Sequence, residues 1–188
     1  ESFGGDAVVA WKDKIPNLDA LKGKSDLKVG FTINSPSHHF AKVLVQDFGV
    51  SELLPTDKRR VETEGAKGAY DVFLAKKVDV AILWEPYVSM ALQQPGTVKL
   101  IGTESTKRRI VDVLLANREY MESNPETIPV VLAHYFQTLK YYHDNPEILR
   151  QEVADLTGLD GPRVDDMLKG VRWVNFTENG MEWFGIPV

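Results

Sequence analysis

The chain has 188 residues and a net charge of −5, with 43% hydrophobic and 26% charged residues and no cysteine. This composition belongs to a folded globular protein and excludes a disordered chain, a collagen-like repeat and a disulfide-stapled miniprotein. Without cysteine there is no thiol nucleophile, no cysteine-ligated zinc and no iron–sulfur cluster.

The first predicted element is a strand over Asp6–Trp11. Asn17 then caps a short helix over Leu18–Lys22 that Gly23 stops. A second strand covers Leu27–Phe31. The Ser/Pro/Asn loop after it leads into an amphipathic helix from His38 to Phe48, with Phe40, Val43, Leu44 and Phe48 at helical spacing and Gly49 as the stop. Arg60–Thr63 reads as a short strand and Gly65–Lys76 as a helix with Tyr70, Phe73 and Leu74 on one side. Val78–Leu83 is almost continuously apolar, the pattern of a parallel strand buried on both faces. Pro86 suits the first turn of a helix running to Leu92. Pro95-Gly96 makes a turn before a strand over Val98–Ile101.

Residues 27–101 therefore alternate strand and helix, the signature of an open, mostly parallel α/β sheet with right-handed crossovers. Ile110–Ala116 reads as one more apolar strand. Beyond it the pattern is helical. Glu126–His143 carries a stripe of Ile128, Val131, Leu132, Tyr135, Phe136, Leu139 and Tyr142. Pro146 opens another helix, closed by Gly158, and a third runs from Gly161-Pro162 to Gly170. The tail from Val171 to Val188 is aromatic, with Trp173, Phe176, Trp183 and Phe184.

Charge and motif exclude several functions. Residues 112–188 hold thirteen acidic and six basic side chains, which argues against a broad nucleic-acid-binding face. The basic clusters Lys58-Arg59-Arg60 and Lys107-Arg108-Arg109 read as solvated loops or strand ends. No apolar run reaches the roughly 18 residues of a membrane helix. The chain opens on polar Glu-Ser-Phe-Gly-Gly-Asp, which is not a signal peptide, as expected of a cytosolic chain or of one whose targeting segment has been removed. There is no His-Glu-x-x-His, no phosphate-cradling Gly-x-x-x-x-Gly-Lys, no Gly-x-Gly-x-x-Gly and no Gly-x-Ser-x-Gly. His134 and His143, on the long helix, read as structural, and adjacent His38 and His39 do not share a helix face for chelation. No metal or cofactor is expected, and the chain does not read as an enzyme.

Ligands of open α/β sheets bind beyond the carboxyl ends of the strands. Beyond Phe31 lie Ser35, Ser37, His38 and His39, whose hydroxyls, imidazoles and free helix-start N–H groups suit a polar or anionic ligand. The competing reading is an ordinary N-cap by Ser35 or Ser37. Beyond Thr63 lie Glu64, Gly65 and Gly68, where glycine permits close backbone approach or the residues simply cap the helix. Beyond Leu83 lie Trp84, Glu85 and Tyr87, two flat aromatic surfaces and a carboxylate. Core packing for Trp84 and helix-dipole stabilisation for Glu85 compete with ligand binding there.

Four segments resemble the periplasmic solute-binding proteins of ABC importers for nitrate, sulfonates, taurine and thiamine precursors. They are Ser2–Val9 with Ile15–Lys24; Val29-Gly30 with Ser35–His38; Ala75–Tyr87, ending in Trp84-Glu85-Pro86; and the helical run with Asn124-Pro125 and Asn145-Pro146. Together they cover most of residues 1–170. The resemblance implies the type 2 periplasmic-binding-protein fold, with two α/β lobes, a ligand cleft between them and a hinge. It divides the chain into a crossover strand and linker at 1–26, a ligand-binding lobe at 27–102, and a return crossover strand with C-terminal helices at 103–188.

The implied function is capture of a small polar or anionic molecule for an ABC permease, outside the cytoplasm. Ser35, Ser37, His38, Trp84, Glu85 and Tyr87 carry over as ligand contacts. Asp6 is added near the hinge, and His39 on chemistry alone. The sequence departs from the family in lacking the strand–helix segment expected ahead of the first crossover. It therefore reads as an incomplete two-lobed binder that could self-associate through exposed apolar surface. The alternatives are a sensory or regulatory ligand-binding module, or an enzyme like those of thiamine-pyrimidine synthesis, which rely on a cysteine-rich motif that this chain lacks.

Overall fold

A computed structural model of the chain describes residues 1–106 and 108–185. Lys107, in the second basic cluster, and residues 186–188 of the aromatic tail lie outside the described residues. The chain divides into two compact units. The larger holds Ser2–Val111 and Asp166–Val171. The smaller holds Glu1, Asp112–Asp165 and the chain from Arg172 onward.

The larger unit is built on a five-stranded sheet of β1 (Asp6–Trp11), β2 (Val29–Thr32), β3 (Arg60–Thr63), β4 (Val80–Trp84) and β5 (Thr97–Gly102), in the order β3-β2-β4-β1-β5. β2 runs parallel to β3 and β4, whereas β1 lies antiparallel between β4 and β5. Four strands thus point one way and β1 the other. Residues 2–26, which hold the expected crossover strand, belong to this unit. Ala7–Ala10 are fully buried at the centre of its sheet.

Helices α1 (Pro36–Phe48), α2 (Gly65–Leu74) and α3 (Tyr87–Leu92) cover the sheet. Val80 and Ile82 of β4 join Phe31, Phe40 and Leu44 in one core, and Ala81 and Leu83 join Tyr70, Phe73 and Val88 in the other. This double coverage explains the unbroken apolar run from Val78 to Leu83. Phe31, Phe40 and Phe73 are completely enclosed, each contributing on the order of 1.5–3 kcal/mol. α1 ends as expected at Gly49, which takes the left-handed conformation at φ +66°. Its last predicted core residue, Phe48, is instead exposed.

The expected strand over Ile110–Ala116 does not form. Residues 111–117 have no regular structure, and no strand among the described residues pairs with them. Ile110 is buried in the first core, but Val113, Leu114 and Leu115 are largely exposed. An apolar run becomes a strand only where a ladder takes up its backbone groups.

In the smaller unit the helices follow the pattern read from sequence. They are α4 (Arg118–Ser123), α5 (Thr127–Asp144) and α6 (Pro146–Thr157). α7 (Gly161–Lys169) ends in the larger unit. Ile128, Leu132, Phe136, Leu139 and Tyr142 of α5 are half-buried, while Val131 and Tyr135 of the same predicted stripe are exposed. The aromatic tail packs in part: Phe176 meets Phe136 edge to face, and Arg172 binds Glu182 at 2.8 Å.

Candidate functional site

The parallel register brings the carboxyl ends of β2, β3 and β4 to one edge of the larger unit's sheet. Thr32 lies beside Thr63, and Gly30 beside Ala81. The amino end of antiparallel β1 reaches the same edge, where Asp6 pairs with Trp84 and the Glu85 N–H donates to the Gly5 carbonyl at 2.9 Å. The loops expected to carry ligand contacts therefore share one edge.

Ser35 caps α1. Its Oγ accepts from the His38 N–H at 3.4 Å and donates to the Thr32 carbonyl at 2.6 Å. His38 is half-buried and stacks on Phe31 with ring centres 5.2 Å apart, while the Arg60 guanidinium also lies 5.2 Å from the Phe31 ring. Burial, with Lys42 and Arg60 nearby, lowers the His38 pKa and favours the neutral ring. His39, on the next residue, is exposed. Ser37 does not face solvent. It is fully buried, at helical spacing from Ala41 and Leu44, and its hydroxyl has no partner. That burial argues against the direct ligand contact expected of it.

Trp84, Glu85 and Tyr87 are each half-buried. Glu85 precedes a cis peptide bond to Pro86. Its carboxylate accepts from the Ser89 N–H at 3.1 Å and the Ser89 hydroxyl at 2.8 Å. It thus holds the first turn of α3, the structural role that competed with ligand binding. Burial raises the Glu85 pKa, the Ser89 bonds and Lys99 oppose the rise, and Asp166 adds to it. Tyr87 meets Tyr70 at 5.3 Å.

Asp6 is buried, and its N–H is shared between Ser2 Oγ at 3.1 Å and Thr103 Oγ1 at 3.4 Å. Thr103 is the centre of a knot that sequence reasoning missed. Its buried hydroxyl also accepts from the Gly4 N–H at 2.8 Å and bonds Ser2 Oγ at 2.8 Å. The Lys99–Glu104 ion pair, 3.0 Å long, lies over Gly102, where a Cβ would sit 2.1 Å from Glu104 Oε2. Ser2, Gly4 and Asp6 are about a hundred positions from Thr103 in sequence and meet it only because β1 pairs with β5. No local motif marks them.

Arg59 is engaged by Asp57 at 2.8 Å, Arg60 by Glu62 at 2.6 Å and Arg109 by Asp47 at 2.8 Å. Three arginines of the two basic clusters are thus paired within the chain. His134 Nδ1 lies 2.8 Å from the Val130 carbonyl, a local contact on α5. No group of three or more metal-ligating side chains occurs among the described residues, and no helix there is long and apolar enough to cross a membrane. Two surface cavities are lined by residues other than those of this edge. One, of about 390 Å³, is lined by Met121, Pro125, Ile128 and Leu132, and the other, of about 280 Å³, by Lys24, Glu52 and Arg59.

No protein-family profile matches the sequence, and no curated protein matches it. Solved structures do. The periplasmic aliphatic sulphonate binding protein of Escherichia coli is 25% identical, with a TM-score of 0.72 over 92% of this chain and 57% of its own. The alkanesulfonate-binding protein of Xanthomonas axonopodis pv. citri, solved bound to MOPS, is 16% identical, with a TM-score of 0.67 over 90% of this chain and 56% of its own. The zinc-bound ligand-binding component of an ABC-type import system from Staphylococcus aureus is 10% identical, with a TM-score of 0.64 over 94% and 59%. These neighbours are described as binding proteins, and this chain spans less than two thirds of each. The sheet order and these likenesses together show that the chain has the α/β fold of the periplasmic solute-binding proteins of ABC importers, the resemblance its motifs carry.

Proposed function

We propose that the chain captures a small polar or anionic solute for an ABC importer, outside the cytoplasm, and delivers it to a permease. The observation that carries this reading is the likeness to the sulphonate binding protein over 92% of the chain. Within this chain the residues that would carry the contacts, Ser35, His38, Trp84, Glu85, Tyr87 and Asp6, lie at one edge of the sheet. In this reading His38 and the α1 helix start meet a polar group of the ligand. Trp84 and Tyr87 offer flat contact surfaces, and Glu85 and Asp6 set the charge of the floor. His39 lies at the exposed margin.

Thermal-shift screening with anions, sulfonates and pyrimidines tests the proposal. A ligand that binds only the folded chain must raise its melting temperature. The expected result is stabilisation by at least one compound, reduced in a Trp84→Ala or His38→Ala variant. Absence of stabilisation by every compound class would overturn it. The exposed Val113, Leu114 and Leu115 favour self-association of the chain. Analytical ultracentrifugation reads this directly, and a monodisperse monomer at high concentration would exclude it.

A further inference from the structure

We infer that the edge of the larger unit's sheet opposite the candidate site docks onto a membrane surface of anionic phospholipids. The inference stands apart from the solute-binding reading, and neither needs the other.

The sequence supplies the charge in four short segments. Residues 12–14, 24–28, 57–59 and 76–79 each hold two basic side chains and one acidic one. Together they carry eight basic and four acidic groups, in a chain whose net charge is −5. The topology gathers them. The first segment follows the carboxyl end of β1, and the others precede β2, β3 and β4. β1 runs against its neighbours, so all four segments reach the amino edge of the parallel strands. Backbone bonds join them in a row. The Trp11 N–H donates to the Asp79 carbonyl at 3.3 Å, the Asp79 N–H to the Lys28 carbonyl at 2.9 Å, and the Val29 N–H to the Arg59 carbonyl at 2.9 Å. At the usual strand spacing the row is about 15 Å long, so neighbouring charges lie within a screening length of about 10 Å and act together.

The acidic side chains are engaged within the edge. Asp79 holds the Lys14 ammonium and the Lys28 N–H, Asp57 holds Arg59, and Asp13 accepts from the Lys14 N–H. Lys12, Lys28, Lys58 and Lys77, by contrast, are exposed and form no ion pair among the described residues. The edge therefore presents uncompensated ammonium groups. Two features favour a lipid surface over a nucleic acid. The free charges are lysines, point charges suited to diffuse attraction, while the forked Arg59 guanidinium that would grip a single phosphate is taken by Asp57. Trp11, the aromatic side chain of this edge, is stacked on Phe73 at 4.9 Å and covered by the Lys76 ammonium at 4.8 Å, so it offers no platform for base stacking. Ser35 and Glu85 follow the opposite ends of β2 and β4, so contact at this edge leaves theirs uncovered.

The test is flotation of the full chain with vesicles of phosphatidylcholine alone and of phosphatidylcholine with one third phosphatidylglycerol. Binding is expected to the second kind only. It should disappear when salt rises from about 0.1 M to about 1 M, where the screening length falls to about 3 Å. Replacing Lys12, Lys28 and Lys77 together by Gln should weaken binding roughly a hundredfold, since each lysine near an anionic surface contributes about fivefold. The same change of charge made at Lys42, Lys67 and Lys140, on α1, α2 and α5, should cost at most about fivefold. Single variants Lys12→Gln and Lys77→Gln, each expected to lose about fivefold, carry the test should the triple variant fold poorly. No binding to the anionic vesicles, equal binding to both kinds, or equal loss in the two triple variants would overturn the inference. Tighter binding to a DNA duplex than to the anionic vesicles would overturn the choice of partner.

Discussion

Replacing Thr103 by Val should cost the larger unit about 2–4 kcal/mol. The Thr103 hydroxyl is buried and bonds Ser2 Oγ and the Gly4 N–H, each at 2.8 Å, with a longer share of the Asp6 N–H. Valine fills the same volume, so no cavity opens and the loss is polar. A typical net hydrogen bond contributes about 1 kcal/mol, and a buried donor left without an acceptor costs about 1–3 kcal/mol. The Gly4 N–H loses its acceptor outright. The Asp6 N–H keeps Ser2 Oγ, and Ser2 can turn to water. One orphaned donor and one lost bond give the range above. For a chain of this size the melting temperature should fall by roughly 4–16 °C, taking about 2–4 °C per kcal/mol. Urea unfolding followed by tryptophan fluorescence, with Thr103→Ser alongside, measures it. Serine keeps the hydroxyl and should lose much less. A Thr103→Val variant as stable as the parent, or a Thr103→Ser variant just as damaged, would refute the argument.

Ser37→Ala should leave stability unchanged or raise it by about 1 kcal/mol, since it removes a buried hydroxyl with no partner. It should also leave ligand stabilisation intact, and thermal shift reads both. Gly5→Ala should destabilise by at least about 1–3 kcal/mol, because a Cβ there would lie 2.8 Å from the Gly170 carbonyl oxygen and well-packed sites resist added volume; chemical denaturation shows it. Burial raises the Glu85 pKa above 4.5, so the folded chain holds this proton more tightly than the unfolded one. Its contribution to stability is present below the unfolded value and declines as pH rises through the folded value. Glu85→Gln should flatten that limb of the stability–pH curve, and an unchanged curve would contradict it. The His38 ring should titrate below 6.5 by NMR, since burial, Lys42 and Arg60 all disfavour its charged form.

Helical spacing carried most of the larger unit's helices, because Phe40, Val43 and Leu44 must face one side whatever the tertiary context. The buried strand at Val78–Leu83 was equally legible, since only a strand covered on both faces drops its polar residues. What could not be read was pairing. The apolar run of β1 does not say that it lies antiparallel between β4 and β5, and nothing near Thr103 announces that its hydroxyl serves Gly4. Ile110–Ala116 failed for a related reason: apolarity is necessary for a strand, but the ladder is supplied from elsewhere. At the candidate edge the residue types were visible, while their division of labour was not. Ser35 and Glu85 spend hydrogen bonds on helix starts, and Ser37 faces inward because α1 turns by about 100° per residue.

The central place of β1 has a consequence for how the chain is made. Asp6–Trp11 is made before the other four strands of this sheet, yet both neighbours that flank it, β4 and β5, arrive some seventy to ninety residues later. Until then a run of Ala-Val-Val-Ala has both edges open. Closing loops of that length before any pairing rewards them is slow, and unpaired apolar edges attract other chains. β2 and β3, parallel and connected through α1, can form earlier, followed by β4. The last step inserts β1 into a slot that β4 and β5 define together. During synthesis this segment therefore stays open to other chains until both of its partners are made.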